Sequence, residues 1–371
     1  MSERNVNNCH CEEQSDEAIS SRLRRTCGPH NNNIRKILIV RFSSLGDIVM
    51  STALIRCLRQ AYPSAQIDMV VREDFLDIIR HNPHLDRKIG LDRRSGLRGL
   101  YRLTAQINRE RYDLIYDAHW SLRTLFIRPW LKADYFCKFE KHYLRRALAL
   151  TFKMPLLTGM DRMLVRYLDP LKPFGVIWDA QGPELFLDEH SVSAVHLEDF
   201  SENVPWIGVI PSAQWPGKRW PAERFRTLVQ KIVEHSPYTT IVFGGNNDHF
   251  CADICKGMPP SRVMNTQGRL SILEAAAIMK KCRLVVANDT GLMHVADGLN
   301  IPCVLILGPT SKELGCLPFH PRSRIVEQTL WCRPCSKNGQ APCLRSERYC
   351  LTAISSERVW QECEALMGEV P

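Results

Sequence analysis

The chain has 371 residues, 44% hydrophobic and 24% charged, the composition of an ordinary soluble globular protein with length enough for two domains, and disorder throughout is excluded. No apolar run reaches the roughly 18 residues that a membrane span needs, and the N-terminus is polar and of mixed charge, so the expectation is a cytoplasmic protein without a span or secretory signal. The net charge of +9 is concentrated, because residues 34–175 hold 26 basic against 14 acidic side chains while residues 176–371 hold 19 against 21.

That asymmetry points to an anionic partner on the first half: phosphorylated glycan, acidic membrane surface or nucleic acid. A merely solvated basic face is the alternative. In chain order, residues 1–33 end in Asn31-Asn32-Asn33 with almost no apolar periodicity and read as a disordered N-terminal extension. From Ile34 the pattern changes to a strand (KILIVRF), a turn (SSLGD) and an apolar-periodic helix (IVMSTALIRCLRQAYP). IDMVV (67–71) and DLIYDA (113–118) repeat the strand signal after helix-like stretches, as a parallel sheet with crossover helices requires. Between about 140 and 200 Pro155, Pro170, Pro173 and Pro183 break any long element, and the inter-domain connection is expected at 176–200. A second series follows: WIGVIPSA, a helix from Ala222 to His235, TTIVFGG, the helix SILEAAAIMKKC, the strand RLVVAND, the helix TGLMHVADGL and the strand PCVLILG. The fold class is therefore α/β, with one domain over 34–175 and another over 201–371. Of the fifteen cysteines, Cys57, Cys282 and Cys303 lie in or beside apolar segments and read as reduced core thiols.

The segment RLVVANDTGLMHVADGL carries the most chemistry. Its strand ends near Ala287, and Asn288-Asp289-Thr290-Gly291 turns into a helix whose first N–H groups lack intrahelical partners. Those donors and the helix dipole suit a phosphate. Gly291 permits close approach, Thr290 adds a hydroxyl, and His294 faces the same end one turn on. Asp289 serves equally well as an N-cap.

DTGLMH resembles the D-T-G-x-x-H signature of glycosyltransferase family 9, the ADP-heptose transferases. GDIVMST (46–52), KRWP (218–221) and FGGNNDH (243–249) are similar to three further landmarks of that family, in the same order, over about residues 34 to 367. The resemblance implies a GT-B fold, two Rossmann-like domains facing each other across a cleft. The acceptor would sit mainly on the first domain and the nucleotide sugar on the second. It implies Asp47 as general base and Lys218 on the donor phosphates, with Ser212, Asp289, Thr290, Gly291 and His294 around the diphosphate. Asp248 would meet the ribose and Leu270 the adenine. For Asp47 helix capping is the competing role, for Asp248 a turn, for Leu270 ordinary core. Arg123, Lys138, Lys141, Arg145 and Arg146 are candidates for an anionic glycolipid acceptor. His119 and Trp120 stand where lipopolysaccharide heptosyltransferases commonly carry Gln-Gly, which leaves the acceptor open.

No cofactor is expected, since the nucleotide sugar is a substrate and no D-x-D triplet occurs to hold a divalent ion. Cys332, Cys335, Cys343 and Cys350 form C-x2-C-x7-C-x6-C, a composition compatible with a structural zinc site, with a labile disulfide or free thiols as alternatives. The reading is an inverting, metal-independent heptosyltransferase, with contact to the inner membrane face expected of a lipid-linked acceptor. A transferase for another sugar or glycan, or a non-catalytic nucleotide-sugar binding protein, is the alternative. A nicotinamide dehydrogenase lacks its G-x-G-x-x-G after the first strand, and no nucleic-acid module accompanies the basic half.

Overall fold

The structure is a computed structural model that describes residues 34–188 and 205–369. The expected extension over 1–33 and the later part of the expected connection lie outside the described residues. The first unit alternates β1 (Lys36–Val40), α1 (Leu45–Ala61), β2 (Gln66–Arg72), α2 (Leu76–Arg80), β3 (Arg87–Leu91), α3 (Gly96–Glu110), β4 (Leu114–Asp117), α4 (Leu122–Ile127) and β5 (Tyr135–Lys138). Its strands pair in parallel in the order β3-β2-β1-β4-β5. α5 (Tyr143–Phe152) and α6 (Met163–Arg166) follow.

The second unit runs through β6 (Trp206–Ile210), α7 (Ala222–His235), β7 (Thr239–Val242), α8 (Phe250–Cys255), β8 (Val263–Asn265), α9 (Ile272–Lys280), β9 (Cys282–Asn288), α10 (Gly291–Gly298), β10 (Cys303–Leu307) and β11 (Arg324–Glu327). Its parallel order is β11-β10-β9-β6-β7-β8. Helices α11 (Tyr349–Thr352) and α12 (Ser356–Gly368) close the described chain.

The central strands are covered on both faces, which is why they are apolar without alternation: Ile37, Leu38, Ile39 and Val40 of β1 are all buried, as is every residue of β6 and β10. Cys57, Cys282 and Cys303 are buried thiols in these layers, as expected. Helix α3 shows the usual one-sided burial, with Leu100, Leu103 and Ile107 inward and Arg98, Arg102 and Arg109 in solvent. Helix α1 does not. Gly46 through Leu58 are nearly all buried, because one side of α1 lies on its own sheet and another lies along α10 of the second unit.

The α1–α10 contact is close and parallel. Leu45 meets Gly291, Gly46 meets His294 and Val49 meets Gly298. A methyl group on Gly46 would stand 2.5 Å from Cδ2 of His294, and one on Gly291 would stand 3.0 Å from Cβ of Leu45. Residues 179–185 lace the same seam. The buried Arg56 of α1 pairs with Asp179 at 2.6 Å and Glu184 at 2.8 Å, and the Leu185 N–H donates to the Gly298 carbonyl at 2.7 Å. Two α/β units are thus held with the N-termini of α1 and α10 side by side.

Gly46→Ala should therefore disturb the seam rather than α1 itself, whose helix propensity it improves. The expected outcome is a native-like circular dichroism spectrum, a melting temperature within a few degrees of wild type, and a larger radius of gyration by small-angle scattering as the units separate. Wild-type scattering from this variant would show that the seam tolerates a side chain at 46.

Candidate active site

The helix N-termini and adjoining strand ends border an open cleft of about 420 Å³. One wall carries Arg41, Ser44, Asp47, His119, Lys141 and Arg146, and the other Lys218, Asp289, Thr290, Gly291, His294 and Lys337. Asp47 is the third residue of α1 and closes a capping box, its Oδ2 accepting from the Ser44 hydroxyl at 2.7 Å and from the Ser44 N–H at 3.2 Å. Its Oδ1 takes the guanidinium of Arg41 at 2.7 Å and the hydroxyl of Tyr167 at 2.8 Å. Arg41 follows β1 directly, is buried, and also donates to the Ala118 carbonyl. Tyr167, wholly buried, lies 5.2 Å under that guanidinium.

Surrounding protein disfavours charge on Asp47, but Arg41, Ser44 and Tyr167 outweigh that burial and hold the carboxyl well below the usual carboxylate range. It is ionised at any physiological pH, and with 28% of its side chain exposed it stays open to the cleft. Tyr167 is pushed far up by burial, so it remains a donor.

On the opposite wall β9 ends at Asn288, whose amide bridges the Pro211 carbonyl and the Trp220 N–H and so fixes the loop that carries Lys218. Asp289 does not cap α10. Its Oδ2 accepts from Lys218 at 2.7 Å and from the Thr310 hydroxyl at 2.8 Å, while Thr290 occupies the N-cap position and makes no side-chain capping bond. The first N–H donors of α10 are therefore uncapped by side chains, with a lysine held beside them. His294 is buried, its Nδ1 has no hydrogen-bond partner, and burial lowers its pKa against the pull of Asp297, Asp289 and Asp47. His119 behaves alike, pushed down to about 3 by burial and by Arg41 and Lys141. Both imidazoles are neutral near pH 7.

The model of glycosyltransferase family 9 (heptosyltransferase) matches residues 100–343, about two thirds of the chain. This chain belongs to glycosyltransferase family 9. It is 25% identical over 348 residues to lipopolysaccharide heptosyltransferase 2 of Escherichia coli K12, covering 90% of this chain and 98% of that protein. It is 28% identical over 308 residues to lipooligosaccharide heptosyltransferase 2 of Haemophilus influenzae, covering 75% and 84%. The solved family 9 glycosyltransferase of Veillonella parvula superposes with a TM-score of 0.75 at 22% identity, over 92% of this chain and 99% of that one. The fold is GT-B, and the protein is an enzyme.

Of the residues expected in catalysis or in donor or acceptor binding, the cleft of this transferase collects Asp47, Lys218, Asp289, Thr290, Gly291, His294, Lys141 and Arg146. The others lie off its lining. Ser212 is buried just past β6, with its hydroxyl 3.4 Å from the Phe243 carbonyl. Asp248 accepts from the Gly245 N–H at 2.9 Å and pairs with Arg219 at 3.2 Å. Leu270 packs against the core before α9. Arg123, Lys138 and Arg145 point into solvent; Lys138 stacks on Trp120 and Arg145 donates to the Leu156 carbonyl.

Cys332, Cys335, Cys343 and Cys350 line one small cavity as free thiols. Among the described residues no three ligating side chains stand close enough to hold a metal ion, so the geometry does not fit the expected zinc alternative. Among the cleft residues that the sequence reading did not single out are Arg41, Tyr167 and Lys337. Arg41 and Tyr167 sit outside any motif, and Lys337 is hidden among the cysteines.

Tyr167→Phe removes a donor to ionised Asp47, so the folded-state pKa of that carboxyl rises and its protonated form persists to higher pH. The acid limb of the kcat/KM profile should move upward in pH, with the alkaline side unchanged. An unmoved acid limb would separate Tyr167 from the titration of Asp47.

Proposed function

We propose that this family 9 enzyme transfers a heptose from ADP-heptose to a lipopolysaccharide core acceptor in one inverting displacement. One observation carries the reading: an ionised carboxylate on one domain and an uncapped helix N-terminus with Lys218 on the other open onto the same cleft. Helix α1 already has its anion in Asp47, and α10 has none, so a diphosphate belongs on α10.

In the proposed step the acceptor hydroxyl attacks the anomeric carbon as the bond from that carbon to the diphosphate oxygen breaks. Asp47 takes the proton. Its four hydrogen bonds make it a weak base, but a hydroxyl becomes a strong acid once bonded to the anomeric carbon, so a weak base suffices late in the step. Ser44, exposed at the cleft, is the partner that the acceptor hydroxyl displaces from Oδ2. ADP leaves with its charge on Lys218, Thr290 and the α10 N–H groups, and neutral His294 offers a hydrogen bond. Held by Asp289, Lys218 is fixed in place before the donor arrives. No divalent ion has a role in this step.

The acceptor class has its own support. Leu122, Leu125, Phe126 and Trp130 on and after α4, and Tyr143 and Leu144 at the start of α5, are large apolar side chains in solvent. Exposed Arg123 and Arg145 adjoin them in sequence, and exposed Lys138 stacks on Trp120. We assign these three to an acidic bilayer surface, where a lipid-linked acceptor would lie, and place the enzyme on the cytoplasmic face of the inner membrane. No helix among the described residues is long and apolar enough to cross it. The second reading, another glycan as acceptor, rests on His119 facing the cleft.

Calorimetric titration with ADP, GDP, UDP and NAD in the presence of EDTA should show selective ADP binding, and binding of NAD alone would overturn the reading. Asp47→Ala should lose about 10²-fold to 10⁴-fold in turnover with ADP affinity nearly intact. Unchanged turnover in that variant would sink the base assignment. Flotation with phosphatidylglycerol vesicles should show association that weakens as salt rises from about 50 to about 500 mM, and that Phe126→Ser with Trp130→Ser reduces. Salt-independent flotation would remove the electrostatic part of the docking surface.

A further inference from the structure

A buried charge normally has a partner, because desolvation costs several kcal/mol per ion. Arg41 has Asp47, and Arg56 has Asp179 and Glu184. Arg146 and Arg166 break the pattern. They are only 8% and 5% exposed, and neither forms an ion pair among the described residues. Nε and Nη2 of Arg166 have no acceptor, and Arg146 has one long bond of 3.5 Å to the Lys141 carbonyl. The two are close enough that the charge of Arg146, after burial, works against the charge of Arg166. Arg146 itself lines the cleft.

Lys141 lines the cleft beside it, with its ammonium donating to the Trp120 carbonyl at 2.7 Å and no ion pair among the described residues. Facing it from the second domain is Lys337, which stands in the open part of the cleft. The segment that carries Lys337 is anchored on both sides. Lys153 of the first domain donates to the Pro334 carbonyl at 2.9 Å, Arg333 pairs with Glu327 at 2.8 Å, and Gly339 packs on the stem of Lys218. The cysteine-bearing segment therefore presents a cation to the other domain. The carboxylate that these groups share, Asp47, is already saturated by Arg41, Tyr167 and Ser44.

We propose that Lys141 and Arg146, backed by Arg166, and Lys337 from the opposite domain form a clamp for a carboxylate or phosphate group of the acceptor, complete only when the two domains are together. Only the assignment of that anion to the acceptor rests on the transferase reading. A planar guanidinium beside two ammonium groups suits a compact oxyanion. Lys218 is engaged by Asp289, so the clamp stands apart from the cation assigned to the diphosphate.

Lys141 supplies a direct readout, since burial together with the charges of Lys337 and Arg41 lowers its pKa to about 8 against the opposing pull of Asp117 and Asp47. In the full chain at pH 8, Lys141 should react with an amine acylating reagent faster than ordinary surface lysines, as read by peptide mass spectrometry. Inorganic phosphate should protect it, with and without excess ADP. Lys337→Met, at an exposed position that leaves folding intact, should raise the Lys141 pKa, slow its acylation, and weaken phosphate protection about tenfold. Equal protection in wild type and Lys337→Met would overturn the clamp. Protection that ADP abolishes would assign the anion to the donor diphosphate and also overturn it. Because protection needs no turnover, absent heptosyl transfer would sink the proposed reaction and leave the clamp standing.

Discussion

The close contact of α1 with α10 is the constraint on which the rest depends. Two helices from different domains approach with glycines at 46, 291 and 298, and only that approach sets Asp47 and the α10 N-terminus on opposite walls of one cleft. The helix ends are alike in geometry and opposite in electrostatic state. At α1 the capping box fills the positive end with the protein's own carboxylate. At α10 the N-cap threonine makes no side-chain bond, and the nearest carboxylate is turned to a lysine. The proposed transfer, with a proton to manage on one side and a leaving anion on the other, needs this inequality. The chain obtains it from Asp at the third helical position in α1 and Leu292-Met293 after Gly291 in α10.

The charge on Asp47 follows from burial elsewhere. Arg41 must be paired once it is buried behind β1, and Asp47 is its carboxylate partner, so the ion pair is as much a demand of Arg41 as a device for Asp47. The consequence is a carboxylate that stays ionised near neutrality. That suits the proposed displacement, in which the hydroxyl proton leaves late, and it would fail in a reaction that required a strong base at the start.

How much of this was legible depends on how each residue is used. The seven strands found from apolar runs are β1, β2, β4, β6, β7, β9 and β10, all interior to their sheets. The four that were not, β3, β5, β8 and β11, are the edges, where partial exposure allows Arg87, Lys138, Asn265 and Arg324 and erases the continuous run. Asp47 and the Asp289-Thr290-Gly291-His294 turn were visible because chemistry and local geometry coincide in a short segment. The cap reading of Asp289 failed because its partners, Lys218 and Thr310, are remote in sequence. Tyr167 and Arg41 were invisible for the same reason: an arginine after a strand and a tyrosine after a short helix carry no local pattern, and only folding places them on one carboxylate.

The basic surplus of the first half, which sequence could locate but not interpret, divides by burial. Arg41 and Arg56 are structural ions, compensated by carboxylates at the domain seam. Arg123, Lys138 and Arg145 are exposed, Arg123 and Arg145 next to exposed apolar side chains, and each would gain from an acidic surface and lose little without one. Lys141, Arg146 and Arg166 have no carboxylate ion pair among the described residues and are not fully solvated, and carrying them costs the empty enzyme stability. Such a cost persists where a ligand repays it, and an anion that draws Lys337 onto the same group would also favour the approach of the second domain. Binding of the acceptor and closure of the cleft would then be one event, with the charge that the first domain cannot neutralise by itself as its driving force.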